Sequence, residues 1–384
     1  MKSANVFMNY YFQKCLSYTI CLIKQIKSGI QQEALAYSVY AAGENIDHLE
    51  AIDPVIKRIT EKHRAIGIKP EQYPIVGATL LNAVKDVLGD AATEEVLGAW
   101  KKAYDEIAKA FIDIEQKLYE ETEHLPGGWS GYRDFRVDQK VEESRLITSF
   151  YLKPEDGKPI ASYKAGQYLT LQAEIPGETY THIRHYSLSD APGKDYYRIS
   201  VKREEGRGGA PAGIVSTYLH QQVQTGDILK FSAPAGDFVI SSKDLPLVLI
   251  SGGVGITPLL SMLNTVAEQH PNRHVTFIHS AKNSEFHAFK EHVEKLAEKH
   301  ENIRSFVCYE APASMDRSLL NFDKEGYVDL EWLQSILPGK DADFYFCGPL
   351  PFMKAINAAL KKWNVSKNNI HYEVFNPVAI LEEE

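Results

Sequence analysis

The run Arg184-His185-Tyr186-Ser187 places a guanidinium, an imidazole, an aromatic ring and a hydroxyl on consecutive residues. On a strand, these groups would lie along one edge. Arginine pairs with pyrophosphate oxygens, a tyrosine ring covers a flat heterocycle, and a serine hydroxyl bonds to ring nitrogens. The set therefore suits a flavin dinucleotide, although an ordinary amphipathic strand can contain the same residues.

A glycine-rich turn follows an apolar stretch later in the chain. The segment Leu245–Ile250 predicts a buried strand, which leads into a helix beginning near Thr257. Backbone N–H groups in such a turn, together with a helix N-terminus, bind pyrophosphate. The pattern predicts a dinucleotide site formed by Gly253, Val254, Gly255, Ile256, Thr257 and Pro258.

The tripeptide Cys347-Gly348-Pro349 follows another apolar strand, Phe344–Phe346. Cys347 has two interpretations: it is a small buried thiol at a strand end, or it lies beside a nicotinamide ring where hydride leaves. The sequence leaves both open.

Two polar residues fall on the apolar faces of predicted helices. His63 alone would most often be a core histidine, but Glu115 is also on an apolar face, where a carboxylate must be hydrogen-bonded. Tyr73 begins the helix between them and is placed to bridge the two. A Glu–Tyr–His chain behind a metal-binding imidazole raises its basicity, which in a haem protein favours activation of O2 over storage.

The composition narrows the class of protein. A chain of 384 residues predicts two or three domains, and a net charge of -9 disfavours nucleic-acid and anionic-membrane partners. The segment Val6–Ile23 is interrupted by polar residues, so neither a membrane span nor a secretion signal is expected. Cysteines without paired spacing indicate a reducing cytoplasm; they are Cys15, Cys21, Cys308 and Cys347.

Three successive periodicities predict an all-α domain, an antiparallel β-barrel and an α/β domain with a parallel sheet. Apolar residues recur every three or four positions from about 31 to 122, and then alternate in short strands to about 240. Beyond that point, fully apolar strands alternate with amphipathic helices. The predicted boundaries are a separate segment 1–30 and domains 31–124, 128–240 and 241–384.

Residues 130–384 resemble the ferredoxin–NADP reductase superfamily, in which a flavin barrel precedes a nicotinamide domain. The resemblance is carried by Gly166-Gln167-Tyr168, Arg184–Ser187, Val215-Ser216-Thr217, Pro234–Phe238 and Glu373–Pro377. It implies that FAD is contacted by Tyr168, Arg184, His185, Tyr186, Ser187, Ser216, Thr217, Val374, Phe375, Asn376 and Pro377.

From about residue 31 onward, the chain resembles the flavohaemoglobins, nitric oxide dioxygenases of bacteria and fungi. The match lies in Lys62-His63, in Ile68–Tyr73, and in Gln31–Leu35. It implies that His63 is the proximal ligand of haem iron, that Tyr73 and Glu115 form a proximal relay, and that Gln31 faces the distal ligand.

Lys62 and Glu373 match family positions near the haem and the flavin. There they adjust electron transfer, or they are plain surface charges; the sequence supports both readings equally.

The resemblance implies haem b, FAD and NAD(P)H as cofactors, with electrons passing from NAD(P)H through FAD to haem and nitric oxide being oxidised to nitrate. The expected partners are these small molecules and O2, and the expected protein is a cytoplasmic monomer. Two alternatives stay open: an NAD(P)H:acceptor flavoreductase with an impaired globin domain, and a haem-based O2 carrier or sensor. The choice between NADH and NADPH is also open.

The first 30 residues do not match the family. Phe7 stands where flavohaemoglobins have a distal tyrosine. A one-base displacement of the reading frame is compatible with family-like runs at Phe7–Tyr10 and Ile23–Lys27, so we hypothesise a frameshift upstream of Gln31, in the gene or in its sequencing. Resequencing the 5′ end of the gene tests this hypothesis, and an intact frame through codon 31 would exclude it.

Overall fold

A computed structural model describes residues 53–206 and 208–375. The predicted segment 1–30, the distal Gln31, and Asn376 and Pro377 at the flavin end lie outside these ranges.

The described part of the first domain consists of helices, as the three-to-four spacing of apolar residues predicts. Gly67, at φ +83°, ends the first helix, and the Thr93 hydroxyl caps the third by accepting from the Val96 amide at 3.3 Å. The helices are α1 (Asp53–Ile66), α2 (Tyr73–Leu88) and α3 (Glu94–His124), with 3-10 turns at Pro70–Gln72 and Gly89–Ala91.

The second domain is an antiparallel sheet of six strands in the order β4-β3-β6-β1-β2-β5. Its interior is filled by aromatic side chains such as Phe135, Phe150 and Tyr197. The elements are β1 (Tyr132–Glu142), β2 (Ile147–Pro154), β3 (Tyr168–Ala173), β4 (His182–Ser187), β5 (Tyr197–Lys202), α4 (Ile214–Gln221) and β6 (Ile228–Ser232).

The third domain is a parallel six-stranded sheet in the order β10-β9-β8-β7-β11-β12, with helices as crossovers. Its strands are β7 (Leu247–Gly252), β8 (Val275–Ala281), β9 (Ile303–Tyr309), β10 (Lys324–Glu325), β11 (Asp343–Cys347) and β12 (Ile370–Glu373). Its helices are α5 (Ile256–Gln269), α6 (Lys290–Lys299), α7 (Ser314–Leu319), α8 (Leu330–Ile336) and α9 (Leu350–Lys362), with 3-10 turns at Gly253–Gly255, Ser284–Phe286 and Lys367–Asn369.

The predicted fold class of three dissimilar domains is confirmed. The strands predicted at Leu245–Ile250 and Phe344–Phe346 are found as β7 and β11. Strands β9, β10 and β12 were not predicted individually, and neither was β1. The alternation of apolar and polar residues along β1 is weak, because charged residues such as Arg136, Asp138 and Lys140 fill many of its positions. Phe135 and Val137 of this strand are nevertheless fully buried. No helix in the described ranges is long and apolar enough to cross a bilayer.

The barrel contacts both neighbouring domains. Ala165 and Phe238 of the barrel pack into the apolar core of the α/β domain. Tyr168 and Ala235 of the barrel pack against Ala65 of α1. Helix α1 and the α/β domain therefore both pack on the barrel.

Candidate functional site

His63, Tyr73 and Glu115 converge on one buried carboxylate. His63 Nδ1 donates to Glu115 Oε1 at 2.7 Å, and the Tyr73 hydroxyl donates to the same oxygen at 2.6 Å. Glu115 is only 2% exposed, so both donors offset the cost of burying its charge. The three predicted residues are therefore brought together by α1, α2 and α3.

The arrangement differs in one respect from the predicted Glu–Tyr–His chain. Tyr73 does not bridge the other two residues, because the imidazole reaches the carboxylate directly and the two donor atoms lie 3.2 Å apart. Burial, reinforced by the hydrogen bond to Glu115, holds the pKa of Tyr73 far above its ordinary value. Tyr73 therefore stays protonated and keeps donating at any physiological pH.

His63 fits the role of a ligand to haem iron. Its Nδ1 is engaged by Glu115, while Nε2 has no hydrogen-bond partner among the described residues. The side chain is 31% exposed, so this nitrogen is accessible, and the Phe111 ring lies 6.1 Å from the imidazole. An imidazole oriented by a carboxylate through one nitrogen, with the other free, is the usual donor arrangement at a metal.

The residues predicted to contact flavin on β3 and β4 meet where these two strands pair. Tyr168 is buried and its ring lies 4.8 Å from that of His185, while its hydroxyl is buried without a partner among the described residues. A buried hydroxyl of this kind costs free energy unless a ligand satisfies it. Gly236, at φ +115°, allows the chain to pass within van der Waals contact of the Tyr168 ring.

The remaining barrel residues are placed as follows. Ser187 is buried at the end of β4, and the partly exposed Arg184 donates to the Ile183 carbonyl at 2.7 Å. Ser216 and Thr217 lie in the first turn of α4; the Ser216 hydroxyl donates to the Gly213 carbonyl and accepts from the Glu204 amide, both at 3.1 Å. Ser216 thus holds the turn together instead of facing open space.

The glycine turn between β7 and α5 has the form that the sequence predicts. Gly253 has φ +51° and open space where a side chain would begin. At Gly255, a Cβ would overlap the carbonyl of Cys347, so this turn and the end of β11 touch through backbone alone. Helix α5 begins at Ile256, and the Thr257 hydroxyl donates back to Val254 at 3.1 Å. An open turn at a helix N-terminus fits a pyrophosphate.

Three strand ends lie side by side next to this turn. In the sheet register, Cys347 pairs with Ser251 of β7 on one side and with Glu373 of β12 on the other. Burial, followed by the charge of Glu373, raises the pKa of the Cys347 thiol well above its ordinary value, so the thiol is neutral. Gly348 and Pro349 then lead into α9.

Glu373 is partly buried, and this raises its pKa to about 7. The positive charge of Lys62 on α1 acts in the opposite direction, so Lys62 lies close enough for its field to reach Glu373. Asp237 raises the pKa further and Arg58 lowers it. Lys62 and Glu373 therefore belong to one electrostatic cluster at the junction of the three domains.

Sequence reasoning missed two residues that hold α1 on the barrel. Glu61 and Arg64 form an ion pair of 3.0 Å, and both are less than 10% exposed. Arg64 donates to the Pro234 carbonyl at 2.7 Å, and Glu61 accepts from the Gly236 amide at 3.4 Å. The sequence did offer one indication of this ion pair: Glu61 and Arg64 carry opposite charges and lie three residues apart on one helix.

Comparison with known proteins gives the same order of domains. The chain matches the globin family at residues 24–111, the FAD-binding domain of oxidoreductases at 134–240 and their NAD-binding domain at 249–358. A flavohemoprotein of Bacillus thuringiensis subsp. konkukian (strain 97-27) is 58% identical over 357 residues, covering 93% of this chain and 88% of the relative. The flavohemoprotein of Bacillus subtilis (strain 168) is 51% identical over 360 residues, covering 93% and 88%.

Solved structures agree. A flavohemoglobin from Malassezia yamatoensis with bound FAD and heme superposes with a TM-score of 0.83 at 24% identity, over 97% of this chain and 94% of that one. The Flavohem-like FAD/NAD-binding domain of a nitric oxide dioxygenase from Vibrio cholerae is 40% identical, with a TM-score of 0.58, over 63% of this chain and 98% of that one.

A globin joined to a flavin barrel and a nicotinamide domain defines an oxidoreductase that moves electrons from NAD(P)H through flavin to haem. More particularly, the chain belongs to the flavohaemoproteins, as its identity to the Bacillus relatives shows. The predicted cofactors, haem, FAD and NAD(P)H, are confirmed by the domains that match.

Proposed function

We propose that this flavohaemoprotein is an NAD(P)H-dependent nitric oxide dioxygenase, which converts nitric oxide and O2 to nitrate. The observation that carries the proposal is the proximal cluster, in which one buried carboxylate accepts from both His63 Nδ1 and the Tyr73 hydroxyl. A basic imidazole favours oxygen activation over reversible storage. The 40% identity to the reductase part of the Vibrio cholerae nitric oxide dioxygenase supports the same activity.

When bound, haem supplies an iron centre for O2 and nitric oxide, and FAD divides the two-electron hydride of NAD(P)H into single electrons. His63 is the proposed iron ligand through Nε2, while Glu115 fixes its tautomer and raises its basicity, and the Tyr73 hydroxyl holds Glu115 in place. Gln31, outside the described residues, is the proposed distal contact.

In the reductase half, the turn Gly253–Pro258 is proposed to bind the nucleotide pyrophosphate, with Cys347-Gly348-Pro349 beside the nicotinamide. Tyr168 and Arg184–Ser187 are proposed to hold the flavin, with further contacts from Ser216, Thr217, Val374, Phe375, Asn376 and Pro377. Cys347 is fully buried in the core of the α/β domain, where its neutral thiol packs as a small apolar side chain behind Gly348 and Pro349.

Lys62 adjoins the proposed haem ligand His63 in sequence, and the charge of Glu373 adds to burial in raising the pKa of the proposed flavin residue Tyr168. Because the folded pKa of Glu373 is about 7, its charge changes near neutral pH. The pair is therefore proposed to adjust the transfer of electrons from flavin to haem.

The test is nitric oxide consumption by the full-length protein with NADH and O2, together with its visible spectrum. We expect a haem Soret band and rapid formation of nitrate, and we expect H63A to lose both while NADH-dependent ferricyanide reduction continues. A flavin spectrum without a Soret band would support a flavoreductase instead. Reversible O2 binding without accelerated loss of nitric oxide would support a carrier or sensor.

A further inference from the structure

Asp190 is a buried carboxylate at the contact between the barrel and the α/β domain. It is 8% exposed and follows Ser187 of the flavin run by three residues. Its carboxylate accepts from the Tyr196 hydroxyl at 2.9 Å, within the barrel, and from Asn264 Nδ2 at 2.8 Å, on helix α5 of the other domain. The side chain thus joins the two domains directly.

The backbone of Asp190 makes a second connection between the same two domains. Its carbonyl accepts from the Tyr163 hydroxyl at 2.6 Å and from the Ser261 hydroxyl at 2.5 Å. Ser261 and Asn264 lie one turn apart on α5 and are almost fully buried. Asn264 Oδ1 in turn accepts from His292 Nε2 of α6 at 2.8 Å, which fixes the amide orientation.

Asp190 stays ionised in this position. Burial alone would raise its pKa, but the Arg198 guanidinium at 3.5 Å and the hydrogen bonds from Ala191, Tyr196 and Asn264 outweigh that effect and leave the pKa below its ordinary value. Charge-assisted hydrogen bonds in a buried site are strong and directional. The hydrogen bonds of Asp190 therefore fix one relative orientation of the barrel and α5, whereas apolar packing alone is less directional.

The location of this contact gives it a function. Helix α5 starts at the nucleotide turn, and Ser261 and Asn264 lie in its second and third turns, while Asp190 follows the flavin run in β4. We propose that Asp190 is a positioning residue for hydride transfer, holding α5 and its nucleotide turn at a fixed distance and angle from the flavin run through Ser261 and Asn264. Reacting atoms must lie about 3–3.5 Å apart, and a shift of about 1 Å can cost about 10²-fold in rate.

This inference deepens the reductase half of the proposed function and rests on it. The exposed contacts between the same domains, Lys194–Glu268 at 2.8 Å and Arg145–Glu285 at 3.1 Å, are solvated and contribute little. They provide a matched control, because Glu268 lies on the same helix as Asn264.

The test uses full-length, FAD-loaded protein and follows flavin reduction by NADH in rapid mixing between pH 7 and 9. The variant N264D places a second carboxylate against Asp190, and two carboxylates so close must share a proton. We expect flavin reduction to slow by about 10²-fold at pH 9 and to recover as the pH falls, whereas N264A should be slower by about tenfold at every pH. Both variants should bind ADP-ribose within about twofold of the unmodified protein, since that probe contacts only the α/β domain.

Other titratable or charged groups face the contact between Asp190 and Asn264, and their own titration between pH 7 and 9 would complicate the test. They are Arg198, Tyr163 and Tyr196 from the barrel, Glu268 from α5, and His292 and Lys295 from α6. Burial lowers the pKa of His292, so it is neutral throughout pH 7–9. A pH-dependent rate confined to N264D therefore reports the new carboxylate at position 264, which contacts both Asp190 and His292.

A second readout is independent of cofactor chemistry. Amide hydrogen exchange at Ala191, whose N–H donates to Asp190 Oδ1 at 2.9 Å, and along 261–265 should accelerate in N264D and N264A without FAD or nucleotide. E268Q should match the unmodified protein in every assay.

The results separate three cases. Unmodified protein that takes hydride from neither NADH nor NADPH would refute the reductase function itself. Variants that exchange faster yet reduce flavin at the unmodified rate would overturn only the positioning role, as would an E268Q variant that is equally slow. If N264D does not fold, N264A alone decides, and an unchanged rate in N264A refutes the proposal.

Discussion

Glu115 is the residue on which the proximal cluster depends. Its position on an apolar helix face indicated that something must hydrogen-bond it, and the structure supplies both donors on one oxygen atom. Because Tyr73 donates to the carboxylate and not to the imidazole, it limits the charge that Glu115 can share with His63. The Tyr73 hydroxyl and the Glu115 carboxylate therefore have opposite effects on the basicity of the His63 imidazole, the proposed ligand.

For this reason, the variants E115Q and Y73F should shift the haem reduction potential in opposite directions. E115Q removes the charge that supports His63, so nitric oxide consumption should fall by about 10- to 100-fold, and the haem reduction potential should rise. Y73F leaves the carboxylate to the imidazole alone, so the potential should fall. Spectroelectrochemistry of the purified variants measures both shifts.

The control for both variants is NADH-dependent ferricyanide reduction, which draws electrons from the flavin. We expect it to remain at the unmodified rate, because the hydrogen bonds of Tyr73 and Glu115 in the described residues join helices of the first domain and none reaches the barrel. Potentials that move in the same direction in E115Q and Y73F would contradict the geometry.

Gly255 lies where the nucleotide turn touches the end of β11, and there is no room there for a Cβ atom. A methyl group there would overlap the Cys347 carbonyl, so the G255A variant must separate the nucleotide turn from the end of β11. We expect flavin reduction by NADH to slow by about 10²-fold, since the turn and the nicotinamide side of the site move apart. Rapid-mixing absorbance at the flavin band gives the rate.

A matched glycine tests whether this effect is local. Gly98 on α3 has open space around a built Cβ and an ordinary helical φ. Alanine there should stabilise the helix by about 1 kcal/mol and leave flavin reduction unchanged. A slow G98A variant would show that glycine substitution as such is damaging.

Helix α1 presents different residues to two sites. His63 faces the proximal cluster, while Glu61 and Arg64 hold the helix to the loop Pro234–Gly236, next to Tyr168. The spacing between the proposed haem ligand and the proposed flavin residues therefore depends on this buried ion pair together with the packing of Ala65 against Tyr168 and Ala235.

The variant R64A leaves Glu61 as an uncompensated buried charge. Breaking such a pair costs about 3–5 kcal/mol. The opening free energy at the Gly236 amide, measured by hydrogen exchange, should fall by about this amount. In contrast, K101A removes the exposed pair Lys101–Asp105 on α3 and should change stability by less than about 0.5 kcal/mol. Equal effects of the two variants would rule out a special role for the buried pair.

Local patterns predicted much of the fold but not the contacts between elements. The spacing that placed His63, Tyr73 and Glu115 on inward faces is a property of single helices, and it was correct. The alignment of Cys347 with Ser251 and Glu373 follows from the order of strands in the sheet, which no local pattern encodes. The hydrogen bond between Asp190 and Asn264 likewise joins residues far apart in sequence. Neither the strand alignment nor this hydrogen bond could therefore be predicted from the sequence.

At the scale of the whole molecule, the barrel is the common support for the two other domains. One side carries α1 through Ala65 and Arg64, and another carries α5 through Asp190. Both contacts combine buried charge with short hydrogen bonds, which fix orientation more strictly than apolar packing. Electron transfer through three domains requires this kind of fixed geometry, because each transfer step depends on distance.

Two buried histidines of the α/β domain contribute to how the stability of the molecule responds to acid. His279 and His287 are buried side by side, with ring centroids 4.4 Å apart. Burial lowers the pKa of His279 to about 3, and it lowers the pKa of His287 well below the ordinary value, with His279 and Lys290 adding to the effect. Both rings are therefore neutral in the folded protein at physiological pH.

The sign of the pH effect follows from proton binding. Below about pH 6.5, the unfolded chain takes up protons on these histidines that the folded domain does not, so stability is fully present above that pH and falls as the pH decreases. For His279 the loss continues to about pH 3, at about 1.4 kcal/mol per pH unit. The variant H279N should reduce the slope of stability against pH by that amount. Calorimetry between pH 7.5 and 5 measures this slope. The variant H274N, at an exposed position, serves as the control and should leave the slope unchanged. An unchanged slope in H279N would show that His279 titrates in the folded protein.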